Sequence, residues 1–545
     1  MTLRTSYGLL AQWFARTVLD LRRQFRWSFL PPLMVYFAAG ISGITSIVGA
    51  FFVKDYLGLS AAFLAGLAFW AGLPWALKMP IGHLVDIIWR WKALLVYFGA
   101  SLIAASLSIM YALVTARDAM AAVMAVEAWY VLSVLMAPCG YVIQDAVADA
   151  MSVEAVPKID AEGKPLADAE SKVLHTTMQT FGRVALIGGL IAVALFNIFM
   201  FSGVETMSEA EKTIAYGRIY LTALAIPLVS VSGVVLAAFL RRRRRRALQA
   251  TGLADGAIAA VLDRPGEPTE PNYWYFGGGL AFVGLTLAIG LSQMAYGKEI
   301  IFIGSMTIVL LLMLQLVRAL EPDKARALFG TAIIIFVYRA VPLPGPGAIW
   351  FEIDILGFDQ QFLSVLTLLT SILTLAGMIA LRPLMASKSI SYIVVMLTLA
   401  SGLLSLPNIG LYYGIQEWTA PLTGGIVDAR FIALIDTAIE SPLGQIAMIP
   451  MLTWIARNAP DALKATFFAV MASFTNLALS ASSLFTEYLN RIFLVTREVR
   501  QDGAVTVPAD YAQLGWLLIA VAMISLLAPL LTVWIVHRTR LRPVD

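Results

Sequence analysis

The chain has few of the residues that soluble enzymes use for catalysis and metal binding. A single cysteine, Cys139, occurs in 545 residues, which excludes an internal disulfide framework and a cysteine-based zinc site. The three histidines, His83, His175 and His537, are far apart and lack the spacing of metal ligands. No nucleophile–base pattern and no phosphate-binding loop occurs. We therefore predict no metal, no cofactor, no ATP-driven pumping and no enzymatic activity.

Charge is also scarce, and apolar side chains take its place. Charged residues make up 14% of the chain and hydrophobic residues 59%, whereas soluble domains are about a quarter charged and about half apolar. A chain this apolar could not bury its hydrophobic side chains in water, so its solvent must be lipid. The first long apolar run follows Arg22, Arg23 and Arg26 and lacks a small-residue cleavage site, which argues against a cleavable signal peptide.

About fourteen apolar segments come close to the roughly 20 residues that a membrane-spanning helix needs. The first six are 29–53, 61–78, 93–113, 121–148, 173–201 and 219–240. The next two are 273–293 and 300–316. The last six are 325–341, 362–381, 390–406, 426–454, 465–485 and 514–536. The ninth is the weakest of these predictions, because it is short and Arg339 lies near its end.

Basic residues predict how the chain is oriented. With the N-terminus inside, the inner segments hold about 27 Lys and Arg and the outer segments about nine. The largest basic run extends from Arg241 to Arg246, and beside a membrane exit such a run meets anionic lipid rather than nucleic acid. Apolar residues at helical spacing in 7–25 predict an interfacial helix on the cytoplasmic surface. We expect both termini to be cytoplasmic, in a multi-pass protein of the cytoplasmic (inner) membrane.

The chain repeats itself. The pattern Asp-x-Leu-Gly begins at Asp55 after the first span and again at Asp354 after the ninth, 299 residues later, with apolar residues flanking both copies at identical spacing. This predicts that spans one to six and nine to fourteen are copies and that spans seven and eight form an inserted hairpin. Two parallel halves of six helices are the major-facilitator arrangement.

The predicted fold is therefore an all-α polytopic membrane protein with two six-helix bundles and an inserted two-helix hairpin. The predicted divisions are an interfacial helix at 1–28, an N-terminal bundle at 29–246, a basic linker and hairpin at 247–322, and a C-terminal bundle at 323–545.

Polar residues inside the predicted spans are costly in lipid and indicate function by default. Asp145 and Asp149 are one helical turn apart, and Asp436 and Glu440 repeat that spacing in the second half. The candidates for substrate binding or ion coupling are Arg183, Gln179, His175, Asp145, Glu127, Asp436, Glu440 and Asn476. The candidates for gating are Lys78, Asp86, Arg90 and Asp149.

Two roles remain open for these residues. In one, Lys78 and Arg183 hold an anionic substrate while carboxylates balance the charge or carry protons. In the other, Lys78, Arg183, Asp145 and Asp149 form ion pairs that close a cytoplasmic gate. Arg183 lies about 15 Å along its helix from the loop, which makes it the better substrate candidate. Glu127 could instead be a rim residue whose carboxylate reaches the outer surface.

Three sequence blocks carry a family resemblance. They are Lys-Asp-Tyr-Leu-Gly-Leu-Ser at 54–60 leading into 73–82 and Asp86, Asp-Ala-Val-Ala-Asp-Ala-Met-Ser-Val-Glu at 145–154, and Ala-Thr-Phe-Phe-Ala-Val-Met-Ala-Ser-Phe-Thr-Asn at 465–476. Together they resemble the folate–biopterin transporter family, a branch of the major facilitators. Gly82, Asp86 and Arg90 are similar to the major-facilitator loop motif, which braces helices during gating.

This resemblance implies a secondary active transporter of an organic anion such as folate or a pteridine, possible proton coupling, and a monomer. Two features point to relatives. Family members commonly have twelve helices, whereas this chain has about fourteen predicted spans. In addition, Gln144-Asp145 together with Ala-Thr-x-Phe-Ala at 465–469 is similar to muropeptide permeases and acetyl-CoA transporters. The alternatives are therefore a muropeptide or acyl-CoA permease, or a membrane assembly factor that binds a pigment or a partner without turnover.

Overall fold

A computed structural model describes most of the chain. The described residues are 25–52, 59–76, 78–156, 168–204, 207–250, 273–292, 294–317, 321–380, 388–443, 464–501 and 504–542, with 252, 255, 258 and 262. The interfacial helix predicted over 7–25 lies outside them, except for Phe25.

The described residues are nearly all helical. The helices of the first half are α1 (Leu30–Gly40), α2 (Ser46–Phe52), α3 (Ala61–Ala76), α4 (Lys78–Ile87), α5 (Lys92–Thr115), α6 (Arg117–Ala121), α7 (Val126–Ala155), α8 (Asp168–Met200), α9 (Glu209–Ala223) and α10 (Ala225–Ala250). Next come α11 (Tyr273–Ser292) and α12 (Gly297–Val317). The remaining helices are α13 (Pro322–Arg339), α14 (Pro346–Asp354), α15 (Gln360–Ala380), α16 (Ile390–Tyr412), α17 (Ile415–Leu422), α18 (Ala429–Glu440), α19 (Lys464–Ile492) and α20 (Leu514–Arg538). Between α19 and α20, β1 (Val499–Gln501) and β2 (Ala504–Val507) pair antiparallel.

Local chemistry explains several helix boundaries. In lipid the backbone must satisfy its own hydrogen bonds, so long apolar runs form helices. Asp428 precedes α18, and its carboxylate accepts a 2.8 Å hydrogen bond from the backbone N–H of Phe431. Ser389 caps α16 in the same way. Gly345, with φ of 79°, separates α13 from α14, because this left-handed conformation strains residues that have a Cβ.

Ten helices of the described chain are long and apolar enough to cross a membrane. The four other predicted spans also coincide with helices. The seventh has a shorter apolar stretch, Phe276–Gly290, within α11. The ninth and thirteenth fall on α13 and α19, and the twelfth begins as α18 and continues into 444–463, outside the described residues.

The sequence repeat is present in the helix packing. Shifting residue numbers by 299 carries α1 onto α13, α3 onto α15, α5 onto α16, α7 onto α18, α8 onto α19 and α10 onto α20. The packed pairs correspond as well: α1 with α10 matches α13 with α20, and α5 with α7 matches α16 with α18. The two halves therefore have the same helix arrangement, which confirms the predicted major-facilitator fold.

The halves meet along two equivalent seams. In one seam α3 packs against α19, and in the other α8 packs against α15. Because α3 corresponds to α15 and α8 to α19, exchanging the halves exchanges the seams. This is the pattern of a two-fold axis running between the halves.

The inserted helices α11 and α12 lie beside the α3–α19 seam. They pack against each other, α11 packs against α4 of the first half, and α12 packs against α19 of the second. One buried cluster contains Phe69 of α3, Phe282 of α11, Ile301 of α12 and Phe474 of α19. The hairpin therefore covers only one of the two seams.

An ion pair fastens the hairpin at this place. Lys298 Nζ at the start of α12 lies 2.6 Å from Glu487 Oε1 of α19, a side chain that is 4% exposed. Arg491 Nη2 lies 2.6 Å from the same oxygen. Gly66 of α3 makes room for this pair, since a Cβ there would lie 2.3 Å from Lys298 Nζ. Residues of both halves and of the hairpin are therefore in contact around the Glu487 carboxylate.

A tyrosine joins two segments of the second half. The Tyr511 hydroxyl, between β2 and α20, donates a 2.5 Å hydrogen bond to Asp354 Oδ2 at the end of α14. Burial and this hydrogen bond to the carboxylate raise the pKa of Tyr511 well above its usual value. The hydroxyl therefore stays protonated at neutral pH and keeps its hydrogen bond to Asp354.

A glycine pair lets α5 and α7 approach closely, and this allows a test of the packing. A Cβ on Gly99 would lie 2.7 Å from the Gly140 carbonyl oxygen, and one on Gly140 would lie 2.6 Å from the Gly99 oxygen. Gly140→Ala should destabilise the protein by about 1–3 kcal/mol, because backbone must move. Gly188→Ala is the matched control, since its Cβ would meet nothing within 4 Å. Equal melting temperatures for the two variants in detergent would contradict this packing.

Candidate functional site

A lysine lies between two carboxylates inside the first half. Lys78 Nζ is 2.6 Å from Asp145 Oδ2 and 2.7 Å from Asp149 Oδ2. Lys78 is the first residue of α4, and the aspartates are one turn apart on α7. Both aspartates therefore pair with the same lysine, as one of the two roles left open by the sequence requires. Because the side chains of Lys78 and Asp145 are only 22% and 18% exposed, removing the cation would leave two carboxylates close together with little solvent around Asp145.

Tyr36 of α1 completes this cluster. Its hydroxyl donates a 2.7 Å hydrogen bond to Asp149 Oδ1, and the residue is 8% exposed. Gly182 of α8 lies against the Tyr36 ring, where a Cβ would come within 3.1 Å. Sequence reasoning missed Tyr36, because a tyrosine in an apolar run has no distinguishing pattern. The available indication was general: a buried tyrosine hydroxyl usually has a hydrogen-bond partner. We call Tyr36, Lys78, Asp145 and Asp149 the Lys78 cluster.

The charges of the Lys78 cluster nearly balance. Two carboxylates and one ammonium leave one formal negative charge, and the guanidinium of Arg183 on α8 is close enough to act on Asp145. Arg183 is itself exposed, whereas the Asp145 side chain is 18% exposed. Asp149 is 48% exposed and so presents an accessible carboxylate edge. The cluster thus offers an accessible anion and, nearby, an accessible cation.

Gln144, the residue before Asp145, braces α7 at the level of the cluster. Its side-chain amide donates to the Val96 carbonyl oxygen of α5 at 3.2 Å and to Ser230 Oγ of α10 at 3.0 Å. The residue is buried. These hydrogen bonds fix the rotation of α7 about its axis, so they also fix where Asp145 and Asp149 point.

A second polar contact joins helices beside the loop between α4 and α5, which the sequence predicts to control gating. Lys92 Nζ lies 2.8 Å from Glu154 Oε2, and Arg241 Nη1 lies 3.8 Å from Glu154 Oε1. Glu154 therefore joins the start of α5, the end of α7 and the interior of α10, a role that the sequence did not indicate. Arg90 is exposed, and the side chain of Asp86 lies outside the described part of the structure.

The second half places its candidates differently. Asp436 of α18 is 6% exposed and accepts a 2.9 Å hydrogen bond from Asn408 Nδ2 of α16. Glu440, one turn later, is exposed. Asn476 of α19 donates to the Trp75 carbonyl oxygen of α3 at 3.1 Å, so it lies in a seam between the halves.

Other candidates lie apart from the Lys78 cluster. Glu127 is exposed in the first turn of α7, eighteen residues before Asp145, which is about 27 Å of helix. It borders an open apolar groove lined by Phe63 and Leu132, among others. His175 and Gln179 lie on α8, but their side chains fall outside the described ones.

Two equivalent seams between repeated helix sets, with a charged cluster inside one set, define a membrane transporter of the major-facilitator type. The sequence profile of the BT1 family matches residues 39–543. The chain therefore belongs to the BT1 family, and the predicted family resemblance is confirmed. A relative from Synechocystis sp., named folate-biopterin transporter, is 23% identical over 471 residues, which cover 85% of this chain and 75% of the relative.

Solved structures with a similar fold are also transporters. A POT family transporter in complex with 5-aminolevulinic acid has a TM-score of 0.60 at 12% identity, covering 94% of this chain and 96% of its own. A peptide transporter POT in complex with sulfate has a TM-score of 0.60 at 15% identity, covering 96% and 98%. The nucleoside transporter NupG, as a mutant, has a TM-score of 0.53 at 11% identity, covering 93% and 98%. The family and these structures are transporters, not enzymes.

Proposed function

We propose that this protein is a secondary active transporter that carries an organic anion of the folate or pteridine type across the cytoplasmic (inner) membrane by alternating access. The observation that carries the proposal is the Lys78 cluster, with the exposed carboxylate of Asp149 and the exposed guanidinium of Arg183 beside it. Ionisable groups are expensive inside a membrane and are retained there for function.

The chemistry of the two exposed groups suits a pteridine with an acidic tail. A 2-amino-4-oxo pteridine ring presents adjacent N–H donors along one edge, and a carboxylate accepts such a pair in two parallel hydrogen bonds. Asp149 would fill this role. A guanidinium is a planar fork of donors that binds a carboxylate with two hydrogen bonds, so Arg183 would hold the tail. Lys78 and Tyr36 would hold Asp149 in place.

The two seams support alternating access. In the proposed cycle, residues 29–246 and 323–545 move as two bodies, and one seam region parts on each side of the membrane in turn. Asn476, which bonds across the α3–α19 seam, would lose its hydrogen bond to Trp75 in one of the two states. The gating roles of Asp86, Arg90 and the Lys92–Glu154 pair belong to the same proposal. Both termini would be cytoplasmic, the arginines from Arg241 to Arg246 would meet anionic lipid, and the protein would act as a monomer.

Uptake by proteoliposomes tests this function. The purified protein should exchange external radiolabelled folate or biopterin for internal unlabelled substrate, and the same compounds should raise its melting temperature, because a ligand of the native state stabilises it. Exchange and stabilisation by muropeptides or acyl-CoA esters, with none by pteridines, would favour the alternative permease. Stabilisation by a pigment without exchange of any compound would favour a membrane assembly factor.

A further inference from the structure

Asp436 is a deeply buried carboxyl group with only one of its oxygens satisfied. The residue is 6% exposed, and its Oδ2 accepts a hydrogen bond from the neutral amide of Asn408. Its Oδ1 is buried and has no hydrogen-bond partner among the described residues. A buried carboxylate anion with a free oxygen is costly, whereas a carboxylic acid is neutral there.

The described elements that pack against α18 offer no charge to neutralise Asp436. α18 packs against α15, α16 and the turn Ser441–Leu443. Neither α15 nor α16 contains Asp, Glu, Lys, Arg or His, and the turn has none either. The hydroxyl groups nearby are already used, since Thr374 donates to the Ser441 carbonyl oxygen and Ser441 donates to Thr437.

The nearest charged groups to consider lie on α18 itself and on α13. Arg430, nearly two turns before Asp436, is committed to Asp359, whose Oδ2 lies 3.0 Å from its Nη2. Glu440, one turn after Asp436, adds a further negative charge and is exposed. On α13, Tyr338 interacts electrostatically with its neighbour Arg339 and also with Glu440. The described surroundings of Asp436 therefore contain a second acid but no cation paired with it.

We infer that Asp436 binds and releases the coupling proton of the transport cycle, with the exposed Glu440 exchanging that proton with water. The inference rests on the proposed function, because a coupling proton requires a transported substrate. The proton sits on Oδ1, and Asn408 holds Oδ2 in both protonation states. Asp436 lies seven residues into α18, about 10 Å along the helix, and Glu440 lies about 6 Å further. Two carboxyl groups one turn apart thus join a buried proton site to the exposed surface of α18.

A measurement without substrate tests the proton site directly. Infrared difference spectra of the purified protein between acid and neutral pH should show the carbonyl stretch of a protonated carboxylic acid. Asp436→Asn should weaken the part of this band that persists towards neutral pH, whereas Glu417→Gln, which alters an exposed carboxylate on α17, should change only the part that appears at lower pH, where exposed carboxyl groups titrate. A band that is undiminished in Asp436→Asn would overturn the inference.

Transport in proteoliposomes tests the coupling. With two pH units across the membrane and one proton per substrate, the wild type and Glu417→Gln should accumulate radiolabelled folate about 100-fold. Asp436→Asn should lose this accumulation but keep substrate exchange at equal pH, since exchange needs no net proton movement. Full accumulation by Asp436→Asn would overturn the assignment of the coupling proton to Asp436 but would leave the proposed transport function standing. A wild type that exchanges no folate would overturn the proposed function, and the infrared band would still decide whether Asp436 is a proton site.

Discussion

Lys78→Met should abolish transport and destabilise the protein more than any surface substitution. The change leaves Asp145 and Asp149 without the ammonium that lies 2.6 and 2.7 Å away, while a methionine fills nearly the same space. Removing one partner of a buried ion pair costs about 3–5 kcal/mol. We expect exchange to fall at least about 100-fold, together with a large fall in melting temperature, because the remaining carboxylates repel each other and draw in water.

Two variants serve as controls for Lys78→Met. Lys388→Met also removes a lysine, but Lys388 is exposed and lies over the Tyr392 ring, so exchange and melting temperature should stay near the wild-type values. Adding Asp145→Asn to Lys78→Met removes the opposite charge and should recover part of the lost stability. If Lys78→Met melts at the wild-type temperature, the ion pairs do not stabilise the fold.

Arg183→Ala should weaken substrate binding with little effect on folding. The guanidinium is exposed, so its removal leaves no buried group without a partner. If it holds a substrate carboxylate, the loss of a charged hydrogen-bond pair costs about 1.5–3 kcal/mol, which raises the Kd about tenfold or more. Titration calorimetry with folate measures this change directly.

The double variant Arg183→Ala/Asp145→Ala separates substrate binding from gating. If Arg183 serves only to neutralise Asp145, the double variant should regain transport relative to either single variant. If Arg183 holds substrate, the double variant should stay inactive. An unchanged folate Kd in Arg183→Ala would end the assignment of Arg183 to the substrate.

Much of the fold was predictable because lipid allows few solutions for the backbone. Apolar runs of sufficient length must be helices in lipid, and each predicted span coincides with a helix in the described residues. The Asp-x-Leu-Gly pattern at Asp55 and Asp354 identified the two halves, because its 299-residue offset is also the offset between corresponding helices. The seams between the halves were not predictable. They depend on which apolar faces pack together, and apolar faces look alike in sequence.

The candidate site was only partly predictable, for a similar reason. Lys78, Asp145 and Asp149 were identified because charge is rare in spans and therefore conspicuous. Tyr36 and Asn408 were missed, since neutral polar residues are common in membrane helices and reveal a role only through their partners. The functional roles of all the candidate residues stay predictions, and the side chains of His175, Gln179 and Asp86 also lie outside the described ones.

The hairpin of α11 and α12 supports one of the two seams more than the other. A two-fold repeat alone would give two seams of equal strength, and the halves would rock about a central pivot. Here α3 and α19 are held by shared core packing with the hairpin and by the Lys298–Glu487 pair, whereas α8 and α15 receive no such support from the hairpin among the residues that the structure describes. In the proposed transport cycle, we therefore expect the two halves to separate less at α3 and α19 than at α8 and α15.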